Sequence, residues 1–69
     1  MTALEKIKLI IEDGRALGWG FSHITLEITD KGKRAIVNGE VVELDDSFPE
    51  IDKKEKGLWF VPTNKVLDM

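Results

Sequence analysis

Leu4, Ile7, Ile10 and Ile11 recur at three- and four-residue intervals, with Glu5, Lys8 and Glu12 between them. That period draws one apolar stripe along a helix and leaves the charges on the other side. Thr2 stands where an N-cap belongs, and Glu5 completes a capping box by reaching back to the Thr2 amide. Gly14 sits where a helix end favours a left-handed residue, so a helix is expected from Thr2 to about Asp13.

The period then switches to two. From Ser22 to Thr29, Ile24, Leu26 and Ile28 alternate with His23, Thr25, Glu27 and Thr29, the signature of a half-buried strand. Asp30-Lys31-Gly32-Lys33 reads as a turn and Arg34 to Val37 as a second strand. Asn38-Gly39 signals a tight hairpin, because both residues tolerate positive φ, and Glu40 to Leu44 is the third strand. A two-residue loop at Asn38-Gly39 pairs Val37 with Glu40, Ile36 with Val41, Ala35 with Val42 and Arg34 with Glu43. For the first hairpin an even-length loop is expected, pairing Ile28 with Ala35 and Leu26 with Val37. An odd loop would split the apolar set between two faces. The even choice gathers Ile24, Leu26, Ile28, Ala35, Val37, Val42 and Leu44 on one side, where the helix stripe should pack.

From Asp45 to Gly57 the chain turns polar. Ser47 and Glu50 suggest a short helical turn with Pro49 near its start, and a solvated loop is the equal alternative. Leu58 to Val61 is a fourth strand, apolar on both faces. Pro62-Thr63-Asn64-Lys65 breaks it, and Val66-Leu67 is a candidate fifth strand. The expected fold is α+β over one domain, residues 1–69: an N-terminal α-helix followed by a four- or five-stranded antiparallel β-meander. Its sheet is either open or curled into a small SH3/Sm-like barrel. The strand order, the run from Gly39 to Asp45 and the late strand–break–strand around Phe60-Val61-Pro62 resemble Sm-like small barrels. The basic and aromatic RNA-binding positions of that family have no counterpart here.

Composition narrows the function classes. Sixty-nine residues bury only about 60% of the surface that the unfolded chain exposes, so stability is marginal without a supplement. No cysteine is present, which removes disulfides and thiolate metal sites, and one histidine does not make a structural zinc site. Self-association is the remaining supplement, and a homo-oligomer is expected. The net charge of −3 disfavours nucleic acid, which calls for a basic surface. The apolar runs, Leu9-Ile10-Ile11 among them, are far too short for a membrane span, and no export signal is seen, so the expected compartment is the cytoplasm.

No cofactor, metal or catalytic residue is assigned. Phosphate-cradling glycine motifs and a cysteine nucleophile are missing, and strand alternation should turn Ser22 and His23 to opposite faces. The acidic doublet Asp45-Asp46 falls short of a calcium loop, and Lys53, Lys54 and Lys56 are interleaved with acids. Arg15, Trp19, Phe21 and His23 form the candidate site for a ligand or partner. Gly18 and Gly20 free the backbone around Trp19, and an aromatic beside an arginine is a common binding anchor. The alternative is that Trp19 and Phe21 close the end of the core. Trp59 and Phe60 point to opposite sides of strand four, so one of them needs a cover other than the core. With Ile36 and Val41 they are the candidate self-association residues. The leading expectation is a non-catalytic, self-associating module that binds another protein. A binder of a small anionic ligand or nucleotide, or a single-strand nucleic-acid barrel, are the alternatives.

Overall fold

A computed structural model describes residues 1–20, 22–49 and 54–69. The N-terminal helix α1 spans Ala3–Ala16, followed by strands β1 (His23–Thr29), β2 (Gly32–Val37), β3 (Glu40–Glu43) and β4 (Gly57–Pro62) and a short helix α2 (Thr63–Leu67).

Thr2 caps α1 as its position suggested, its hydroxyl accepting from the Glu5 amide at 3.3 Å. The reciprocal half of the capping box is different: the Glu5 carboxylate accepts from the Thr2 hydroxyl at 3.0 Å. The expected stop at Gly14 is overturned, since α1 continues to Ala16 and Gly14 lies inside it. Ala3, Ile7, Ile11 and Gly14 make its buried stripe, so Gly14 sits on the packed face. The stop comes at Gly18, at φ +81°, where the Trp19 amide donates to the Gly14 carbonyl and the Gly18 amide to that of Arg15. These two bonds are the Schellman pattern, which satisfies the last carbonyls of a helix.

The Asn38-Gly39 hairpin has the expected register throughout, with φ +50° and +81° at its two turn residues. The first hairpin is displaced by two residues from expectation. Leu26 pairs with Ala35, not Val37, and Ile28 with Lys33, not Ala35, because the loop is the dipeptide Asp30-Lys31. Thr29 closes it, its hydroxyl accepting from the Lys31 amide at 3.2 Å and donating to the Gly32 carbonyl at 3.3 Å. A slip of two preserves the period of the strand, so every side chain keeps its face.

The sheet is open, with strand order β3-β2-β1-β4, and it does not close into a barrel. Its last strand returns to pair with β1 instead of extending the meander past β3. The expected fifth strand at Val66-Leu67 is helical instead: Pro62, at φ −58°, leads directly into α2, and Val66 is fully buried. Proline's fixed φ and missing donor suit the entry to a helix. Helix α1 lies over β2 and β3, and α2 contacts β4, β1 and α1. Between the helices and the sheet lies one cluster of buried side chains, including Ile7, Ile11, Ile24, Leu26, Val37, Val61 and Val66.

Phe48 completes that cluster from within the polar stretch, only 1% exposed. It is held there by its neighbours. Asp45 accepts from the Ala3 amide at 3.1 Å and Ser47 accepts from the Leu4 amide at 3.1 Å, which satisfies two of the orphan donors at the α1 N-terminus. The suggested helical turn at Ser47 and Glu50 cannot be followed further, because Glu50 lies outside the described residues.

Candidate functional site

The sheet has two unlike faces. The helix side carries Ile24, Leu26, Ile28, Ala35, Val37, Val42 and Val61, all buried. Among the described residues no layer covers the other side. Register puts Val41, Ile36, Thr25 and Phe60 in a single row across all four strands of that open face. Val41 and Phe60 are 56% and 65% exposed, with Ile36 and Thr25 half-buried between them. Next to this row runs a second one, Glu43, Arg34, Glu27 and Leu58. Arg34 donates through Nε and Nη2 to Glu27 Oε1, at 3.1 and 2.6 Å. On exposed strands such a cross-strand pair contributes roughly 0.2–1 kcal/mol. Leu58, at the end of the charged row, is 62% exposed. A shallow depression of about 440 Å³ opens on the same face near the first hairpin, lined by Glu27, Thr29, Asp30, Lys31, Arg34 and Glu43 among others. Its mixed signs favour no single charge class of ligand.

His23 belongs to this face. Its ring meets Phe60 edge-on, with centroids 5.2 Å apart and planes at 86°. The expectation that Ser22 and His23 turn apart is overturned: Ser22 Oγ lies 3.2 Å from His23 Nδ1. Ser22 precedes the strand, so alternation does not govern it. Among the described residues no carboxylate is bonded to the imidazole, which leaves this exposed pair without the third member that orients a nucleophile–base couple.

The four self-association candidates divide. Ile36, Val41 and Phe60 share the open row, whereas Trp59 pairs with Leu26 and lies on the helix side. Trp59 is 36% exposed at the sheet's edge, where its indole donates to the Glu55 carbonyl at 2.7 Å and Lys54 Nζ lies 5.0 Å from its ring centroid. Leu58, which lies beside the row at the exposed edge, takes its place. The sequence signal for Leu58 was the same two-sided apolarity of β4 that flagged its neighbours.

The other candidate set is not assembled. Arg15 donates through Nη2 to Asn64 Oδ1 at 2.8 Å, tying α1 to α2. Trp19 is 55% exposed, and its flanking Gly18 serves the helix stop. His23 lies on the open face, and Phe21 lies outside the described residues. Asp45 is committed as well. One carboxylate oxygen accepts from the Ala3 amide and the other from the amide and hydroxyl of Ser47. These bonds, chiefly the Ser47 hydroxyl, hold its pKa below the ordinary 3.8. No cluster of acids and histidine suited to a metal occurs among the described residues. None of their helices is long and apolar enough to cross a membrane.

Comparison with known proteins finds no matching family model, no matching curated protein and no matching solved structure.

Proposed function

We propose that this chain is a non-catalytic interaction module that self-associates and presents its open sheet face to a protein partner. One observation carries the reading: a mostly apolar row, Val41-Ile36-Thr25-Phe60, crosses the whole sheet with no layer above it among the described residues, and Leu58 stands beside it. Contiguous apolar surface on a small domain marks a place that another body covers. The flanking Glu43-Arg34-Glu27 row supplies a polar rim, the arrangement common to protein interfaces. A protein partner is favoured over nucleic acid because two of the three charges in that rim are acidic and the whole chain carries −3. It is favoured over a small anion because Arg15 already has Asn64 as its partner.

Sedimentation velocity tests the self-association. At about 100 µM, where an interface of micromolar affinity is saturated, the protein is expected to sediment as an oligomer. A protein that stays monomeric across that range overturns the reading.

A further inference from the structure

The self-association proposed above leaves open which surface meets which, and the hydrogen-bond pattern of the sheet narrows the choice. The Thr63 amide donates to the Ser22 carbonyl at 3.0 Å, just beyond the pairing of His23 with Pro62. In an antiparallel ladder, pairs that exchange backbone bonds alternate with pairs that do not. Ser22–Thr63 is of the first kind, so Ile24–Val61, Leu26–Trp59 and Ile28–Gly57 are too. It follows that Leu58 and Phe60 aim their amides and carbonyls away from β1, off an edge that pairs with no other strand among the described residues. Pro62, next in that series, has no amide to offer.

The two edges of the sheet are protected unequally. At one end β3 reads Glu40-Val41-Val42-Glu43 and runs on towards Asp45 and Asp46. Pairing that edge with its own copy would bring acids together. At the other end β4 reads Gly57-Leu58-Trp59-Phe60-Val61-Pro62 and holds no charge. Charged residues on edge strands are the usual guard against pairing with another chain, and β4 has none within its span.

We propose that two copies join through β4, antiparallel about a two-fold axis, into one continuous eight-stranded sheet. The register that pairs both outward amides within the spans of the two β4 strands and keeps Pro62 out of the ladder sets Leu58 opposite Phe60 of the second copy, and Phe60 opposite its Leu58. Each such pair exchanges both backbone bonds, and two-fold symmetry makes the pair occur twice. Trp59 then faces its own counterpart on the helix side. The two open faces become coplanar, and because Phe60 faces Leu58 of the second copy, each apolar row runs on into that copy's Leu58-Glu27-Arg34-Glu43 row; the Leu58 and Phe60 side chains of both copies form one apolar patch around the two-fold axis. The second copy thus shelters the edge, and the enlarged open face with that patch at its centre is left for the partner.

The test exploits the directly opposed positions. Leu58→Lys and Phe60→Glu are each expected to weaken self-association at least about tenfold, because each sets a charge against an apolar residue. In the double variant Leu58→Lys/Phe60→Glu, each introduced lysine faces an introduced glutamate, and the oligomer is expected to return as a dimer. Sedimentation equilibrium reads all four proteins, and circular dichroism confirms their fold. An oligomer that persists in both single variants, or a double variant as weak as the singles, overturns the edge pairing while self-association stands. If Ile36→Lys and Val41→Lys dissolve the oligomer where the edge variants do not, the open faces stack instead. A monomeric parent protein removes self-association itself.

Discussion

Phe48 sits in the polar stretch from Asp45 to Gly57, yet only 1% of it meets solvent. Replacing it by alanine tests whether the 45–49 segment is a structural element or a decoration. Deleting a buried phenylalanine side chain costs about 3–5 kcal/mol, as lost transfer free energy plus the cavity left behind. A domain of 69 residues has a total stability of about 3–10 kcal/mol. Phe48→Ala should therefore remove a large part of that stability and, at the lower end of the range, unfold the chain. The loss extends beyond packing. Phe48 anchors the turn whose Asp45 and Ser47 accept from the Ala3 and Leu4 amides, so α1 loses two caps when the turn lifts off. Urea titration followed by circular dichroism, on dilute protein so that association does not contribute, measures the effect. With a slope of about 1 kcal/mol per molar, the midpoint should fall by about 3 M or more, or the transition should vanish. Leu17→Ala, at a residue 65% exposed, is the control and should stay within about 0.5 kcal/mol. A Phe48→Ala midpoint corresponding to less than about 1 kcal/mol would refute the claim that this residue closes the core.

Gly18 holds φ +81°, so Gly18→Ala should cost about 1 kcal/mol and lower the melting temperature by about 4–8 °C; an unchanged melting curve would deny it the helix-stop role. Asp45 has a folded pKa depressed below 3.8, so its contribution is present above that value and is lost as pH falls through the folded pKa. Asp45→Asn should accordingly be less stable than the parent at neutral pH, with the gap narrowing as pH drops below 3.8; a gap constant with pH would show that the carboxylate's charge does not matter.

Much of this architecture is local, and locality explains what could be read from the chain. Helical spacing of Ile7 and Ile11, the alternation of Ile24, Leu26 and Ile28, and the positive-φ dipeptide Asn38-Gly39 act over a few residues. They determine α1, three strands, the second hairpin's register and the face of every side chain on those strands. They also leave β4 apolar on both sides, from which an uncovered aromatic follows whatever the topology.

The rest depends on which distant segments meet. The chain from Asp45 to Lys56 is long enough to reach either edge of the sheet, and the entropy of closing a loop grows only slowly with length. Nothing local tells β4 to pair with β1 rather than β3. Burial decides, because only that order lets Val61 and Val66 join the core from one end while Phe48 joins from the other. The same competition for a dry place turns Val66-Leu67 into a helix turn and seats Gly14 inside α1. The open apolar row is a product of both levels. Sequence supplies Val41, Ile36, Thr25 and Phe60 with their alternation, and tertiary order aligns them across four strands, since a row exists only once each strand has its neighbours.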